Sequence, residues 1–156
     1  MANTYSQVYL QLVFVVQHRD CVIRKSWQDE LYKYMTGIVR NHEHKLLAIG
    51  GMPDHVHLFI GLKPSQSISE LVQNVKRDSS AWINDNKLSL GRFSWQSGFG
   101  VFSYSRSHID RVVNYILNQE THHKKFTFLE EYISFLKRFG IEYDPQYIFK
   151  EVGYKY

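Results

Sequence analysis

Met52-Pro53-Asp54-His55-Val56-His57-Leu58-Phe59-Ile60 is the stretch on which the fold turns. Read as a strand, its side chains alternate between two faces. His55, His57 and Phe59 share one face, and Val56, Leu58, Ile60 and Leu62 share the other. The second set can bury against helices. The first can point two imidazoles at one metal ion, because neutral imidazole is a common ligand. The chain holds eight histidines in 156 residues, so the pair is not specific by itself. Two ordinary histidines on the open face of a sheet fit it as well, until a partner is found elsewhere.

Working outward, residues 45–50 read as a short strand and Gly51-Met52-Pro53-Asp54 as a turn-like hinge, which predicts an antiparallel hairpin. Upstream, residues 5–17 alternate as one long strand rich in β-branched and aromatic side chains. Ser26 is placed to cap a helix to about Asn41, with Trp27, Leu31, Tyr34, Met35, Ile38 and Val39 at helical spacing. Downstream, Ser67 and Glu70 have the spacing of a capping box for a helix to about Asn84. Ile68, Leu71, Val72, Val75, Trp82 and Ile83 make its buried stripe, and Lys76, Arg77 and Ser80 lie off it. After a loop over 86–92, Val101-Phe102-Ser103-Tyr104 reads as a fourth strand. The order is βαββαβ. That predicts an α+β, ferredoxin-like (RRM-like) sandwich, an antiparallel sheet with both helices on one face. The other face would be free for a site or a partner.

Two more helices follow. Ser107 is placed to cap one over 108–122, while Thr127 and Glu130 box another over 128–139 that Gly140 ends. The aromatic tail, residues 141–149, is expected to pack back on the body. A single domain over 1–156 is expected, with a core at about 5–125 and a C-terminal helix and tail at about 126–156. The net charge of +4 permits a polyanionic partner. The lone Cys21 excludes an internal disulfide and fits a reducing compartment. No signal pattern and no membrane-length apolar run is present, so a cytoplasmic protein is expected.

In the helix over 108–122, Ile109, Val112, Val113, Ile116 and Leu117 form the apolar stripe. Tyr115 lies off it, with His108, Arg111, Gln119 and His122. Tyr115 and Gln119 are neighbours four residues apart. A half-exposed tyrosine beside an exposed glutamine is common, but with the two histidines a chemistry emerges. The Gln119 oxygen can join His55 and His57 around a divalent ion such as Mg2+ or Mn2+. Tyr115 can then act as nucleophile on a phosphate which that ion polarises.

The segment around His55-Val56-His57, the helix with Lys76 and Ser79-Ser80, residues 95–104 and Tyr115-Ile116-Leu117-Asn118-Gln119 together resemble the HUH single-tyrosine transposases of the IS200/IS605 type, including REP-associated tyrosine transposases. The resemblance spans about residues 5–125. Neither half of the pattern is specific alone; in combination they are. It implies that His55, His57 and Gln119 hold Mg2+ or Mn2+, and that Tyr115 forms a 5′-phosphotyrosine. It further implies single-stranded DNA with hairpin ends as substrate and a homodimer. Lys76, Arg77 and Arg111 are the candidate DNA contacts, with a solvated basic face as the other reading of Lys76 and Arg77. Two further functions fit the chain less closely. One is a non-catalytic ferredoxin-like module that binds single strands by stacking. The other is a relaxase or Rep-like nickase with the same chemistry. A structural dimer protein is a third, bland possibility.

Overall fold

A computed structural model describes residues 3–154. Its strands are β1 (Tyr9–Val15), β2 (Lys45–Met52), β3 (His55–Gly61) and β4 (Gly100–Tyr104). Its helices are α1 (Lys25–Asn41), α2 (Ile68–Asp85), α3 (Ile109–Leu117), α4 (Gln119–His122) and α5 (Phe128–Arg138). All strand pairs are antiparallel, in the order β2-β3-β1-β4, as a ferredoxin-like βαββαβ sheet requires.

Several local expectations are refined. β1 is shorter than its alternating pattern because a strand needs a ladder, and β3 supplies partners only from His55 to Gly61. The hinge narrows to Pro53-Asp54, since β2 stays paired through Gly51 and Met52. Ser26 does not cap α1: the helix begins at Lys25, and Arg24 is the extended cap residue. The Ser67 hydroxyl does accept from the Glu70 amide at the start of α2. Thr127 and Glu130 form a complete reciprocal box on α5. Gly140, at φ 65°, supplies the left-handed residue that ends it.

One face of the sheet is the expected core. Leu10, Leu12, Phe14, Val56, Leu58 and Ile60 pack there against Leu31, Met35 and Val39 of α1 and Leu71, Val75 and Ile83 of α2. Each fully buried side chain of this kind is worth about 1.5–3 kcal/mol.

The second face is not free, contrary to the expectation. Val13, Val15 and Phe102 pack against Phe128, Tyr132, Phe135 and Leu136 of α5. Ala48 and Phe59 pack against Val112 and Ile116 of α3. Two glycines make this approach possible. A Cβ on Gly50 would lie 2.4 Å from the Ile116 carbonyl oxygen, and one on Gly100 would lie 2.7 Å from the Tyr132 ring. The tail does fold back: Phe149 is buried against Phe128 and Tyr132. Among the described residues, no helix is long and apolar enough to cross a membrane.

Candidate metal and nucleophile site

His55 and His57 lie on β3 facing this second layer, and both are 0% exposed. Each ring is oriented through Nδ1. The Asp54 carboxylate accepts from His55 Nδ1 at 2.7 Å. Gln11 donates from Nε2 to the Tyr104 hydroxyl, so its Oε1 accepts from His57 Nδ1, also at 2.7 Å. With the protons committed to Nδ1, both Nε2 lone pairs turn the same way, toward α4 and α5.

α3 ends at Leu117, and Asn118 breaks the helix before α4 resumes at Gln119. The break exposes Leu117 (63%), which the apolar stripe had included, and turns Gln119 inward to 2% exposure. Gln119 Oε1 sits 3.0 Å from His55 Nε2. His123 is buried too, and its Nε2 lies 3.0 Å from the same oxygen.

Glu131 stands at the centre. It was not anticipated. Its Oε1 is 3.0 Å from His57 Nε2 and 3.5 Å from His55 Nε2. Its Oε2 accepts from the Tyr115 hydroxyl and from Gln119 Nε2. The sequence carried a signal for it. Glu131 lies three residues after Phe128 and four before Phe135, both buried, so it is a carboxylate on the apolar stripe of α5. Tyr115 is half-buried and its hydroxyl is bonded to Glu131, not free in solvent as its polar helix face suggested.

The electrostatics follow from burial. Glu131 sits well below the usual carboxylate range: burial opposes its charge, but His57, His123 and His55 outweigh that. Burial depresses His57. For His55 burial acts the same way, yet Asp54 and Glu131 raise it overall. Tyr115 is raised well above the ordinary phenol range, first by burial and then by the Glu131 charge.

His55, His57 and Glu131 offer ligand atoms within 4.8 Å of one another. Neighbouring donors around an ion with bonds of about 2.1 Å stand about 3.0 Å apart at right angles and about 3.4 Å apart in a tetrahedron. The contacts here, 3.0 Å and 3.5 Å, fall at those spacings. Two imidazole nitrogens, an amide oxygen and a carboxylate oxygen therefore fit a divalent cation.

A cleft of ≈ 620 Å³ opens beside Tyr115, lined by Gln11, Tyr104, His108, Arg111 and Arg138 among others. Arg111 is exposed there. Arg138, also unanticipated, lines both this cleft and a second one that Tyr115 also borders. Lys76 and Arg77 are elsewhere, on α2 and so across the sheet. The Lys76 ammonium donates to the Gln96 and Gly98 carbonyls, and burial lowers it to about 8. Arg77 is exposed and pairs with Asp78 at 3.0 Å.

Residues 4–119 match the model of a protein family described as "Transposase IS200 like". No curated protein matches significantly. Among solved structures, the chain is similar to a candidate transposase from Deinococcus radiodurans R1, at 23% identity over 76% of this chain and 96% of that chain, with a TM-score of 0.59. It is also similar to a REP-associated tyrosine transposase bound to a REP hairpin, at 15% identity over 79% of this chain and 73% of that one, again with a TM-score of 0.59. At these identities the likeness is one of fold. The family match stops at Gln119, so His122, His123 and Glu131 lie beyond it.

Proposed function

The chain belongs to the IS200-like transposase family, whose members are enzymes acting on DNA, and from that premise we propose that it cuts and rejoins single-stranded DNA through a covalent bond to Tyr115. The observation that carries the reading is the convergence, within one chain, of the Tyr115 hydroxyl and the His55 and His57 Nε2 atoms on the Glu131 carboxylate. The nucleophile is thereby held beside the donors that would position a phosphate.

His55, His57 and Gln119 would hold Mg2+ or Mn2+, with Glu131 Oε1 beside them. The bound cation would polarise the scissile phosphate and offset its developing charge. Tyr115 Oη would attack phosphorus, its proton leaving along the hydrogen bond to Glu131 Oε2, and the bond to the 3′ oxygen would break, that oxygen taking up a proton from water. This yields a 5′-phosphotyrosine and a free 3′ hydroxyl. Because the phosphodiester energy is kept, the reverse step joins a new strand. Asp54 and Gln11 hold the two imidazoles in the required tautomer. Arg111 and Arg138 flank the cleft beside Tyr115, where backbone phosphates would be neutralised; Lys76 and Arg77 would serve DNA only on the opposite layer.

The solved relative bound to a REP hairpin supports single strands with hairpin ends as substrate. Residues 1–156 acting as one domain, a cytoplasmic location and a homodimer complete the reading. Tyr115 serves the histidines of its own chain in it. The stacking-module alternative is disfavoured by an observation: the sheet face it would use is covered by α3 and α5. A relaxase or Rep-like nickase shares the same tyrosine chemistry.

The test is incubation of full-length protein with a labelled hairpin oligonucleotide and Mn2+. A covalent adduct is expected, lost in Tyr115→Phe and in His55→Ala, with much of the DNA affinity retained because backbone contacts rest on Lys and Arg. Binding without any adduct under Mg2+ or Mn2+ refutes the enzyme reading and leaves the binding module.

A further inference from the structure

We propose that the chain binds a second divalent cation, held by His122, His123 and Glu131, with the Glu131 carboxylate bridging it to the ion at His55 and His57. The two oxygens of Glu131 face different histidine pairs. Oε1 faces His57 and His55, at 3.0 Å and 3.5 Å. Oε2 faces His122 and His123, both at 3.3 Å. The second triad also brings its ligand atoms within 4.8 Å of one another. A separation of 3.3 Å is that of adjacent donors around one ion with bonds of about 2.1 Å.

The hydrogen-bond chemistry points the same way. His123 donates from Nδ1 to the Phe126 carbonyl oxygen at 2.7 Å, since a carbonyl can only accept. Its Nε2 is thereby aimed at Glu131 Oε2, at 3.3 Å, and at Gln119 Oε1, at 3.0 Å. His122 Nε2 is buried and has no hydrogen-bond partner among the described residues, although Glu131 Oε2 is 3.3 Å away. A buried ring nitrogen facing a carboxylate across ligand distance without a hydrogen bond is the arrangement a cation resolves.

The fold builds this pair in a particular way. His122 ends α4 and His123 is its cap residue. The two rings stand 5.0 Å apart at 82°, so consecutive residues aim at one oxygen from different directions. Phe126 stacks on His122 at 5.2 Å and holds it. A set of two imidazoles and one carboxylate selects a first-row transition dication such as Mn2+ or Zn2+ over Mg2+. The ion would take the Oε2 lone pair that Gln119 Nε2 now uses at 3.2 Å, leaving Gln119 Oε1 for the first ion. It would also stand next to the Tyr115 hydroxyl, which shares that oxygen.

The inference rests on the strand-transfer reading only for the first ion, and the ion count that tests it uses no DNA; adduct formation, assayed separately, tests that reading. Full-length protein is stripped with EDTA, and Mn2+ binding is counted by equilibrium dialysis and metal analysis. Two ions per chain are expected in the wild type, with the spin-coupled electron paramagnetic resonance signal of a bridged Mn2+ pair. His122→Ala, half-exposed and folded by circular dichroism, should bind one ion and lose the coupled signal, while its first-ion affinity stays within about threefold. His122→Gln should behave alike. One ion or none per wild-type chain, or two in His122→Ala, overturns the inference. One ion with intact adduct formation sinks the second site alone; two ions without an adduct sink the strand-transfer reading alone.

Discussion

Gly50→Ala isolates the contact that brings α3, the helix of Tyr115, to the sheet. Gly50 lies on β2 opposite His57, and a Cβ there would stand 2.4 Å from the Ile116 carbonyl oxygen and 3.1 Å from Ile116 Cγ2. Close carbon–oxygen contacts are about 3.3 Å, so α3 must withdraw by about 1 Å. The obstacle is helix backbone, which cannot swing aside like a side chain tip. Overpacking of this kind costs about 1–3 kcal/mol. For a chain of this length that is a fall in Tm of about 3–10 °C. α3 also carries Tyr115 and leads into Gln119, and a 1 Å misplacement near the chemistry can cost about 100-fold in rate. Two assays are needed, thermal unfolding by circular dichroism and the rate of covalent adduct formation. Gly37→Ala is the control: it lies inside α1, its Cβ would meet nothing within 4 Å, and it should stabilise by about 0.5–1 kcal/mol. If Gly50→Ala keeps the wild-type Tm and adduct rate while Gly37→Ala behaves as stated, α3 does not sit on β2 in this way.

Thr127→Ala removes the capping box of α5 and should cost about 1 kcal/mol, read as a lower urea midpoint. It should also weaken Mn2+ binding, because Glu131 sits four residues into that helix; unchanged binding would show the site indifferent to α5. Without metal, stability should fall on acidification below about pH 6.5. His57 is depressed, so the unfolded chain binds more protons there, and stability rises with pH. Glu131, also depressed, adds a second loss below about pH 4.5, while His55, which is raised, acts oppositely above pH 6.5. Urea titrations in EDTA at pH 7, 5.5 and 4 check this, and a flat profile would contradict it. Mn2+ at 100 times its Kd should stabilise the chain by about 2.7 kcal/mol per site. A calorimetric Tm unmoved by Mn2+ would mean that the folded chain does not hold the ion.

The order of elements was legible because strand alternation, helical stripes and Ser67 and Thr127 caps each speak for local structure. Tyr115 and Gln119 were legible as polar residues off an apolar stripe. The covered second face was not, since the stripe of α3 says that it packs but not against which layer. Gly50 and Gly100, strand residues lacking a side chain, hinted at it. Leu117 was misread because the helix stops there, and nothing in its spacing foretells the break at Asn118. Glu131 escaped for another reason. A carboxylate on a buried stripe looks like an ordinary charged helix position until the groups that neutralise it are brought within 3.5 Å from β3 and α4.

Burial of a carboxylate at 4% exposure is stable only if positive or hydrogen-bond-donating groups surround it. Glu131 is met by the Tyr115 hydroxyl, the Gln119 amide and several imidazoles. The hydroxyl and the amide bring protons of their own. The imidazole nitrogens bring lone pairs unless protonated, because Asp54, Gln11 and Phe126 hold the Nδ1 protons of His55, His57 and His123. The resting charge of the cluster is thus balanced by protons or, on the metal-site reading proposed above, by cations, whose binding strengthens as pH rises. The consequence reaches past the family match, which ends at Gln119. The segment after it is not a passive covering. Through Glu131 it ties Tyr115, Gln119 and both histidines of β3 to one charge, so α5 is part of the cluster that it closes.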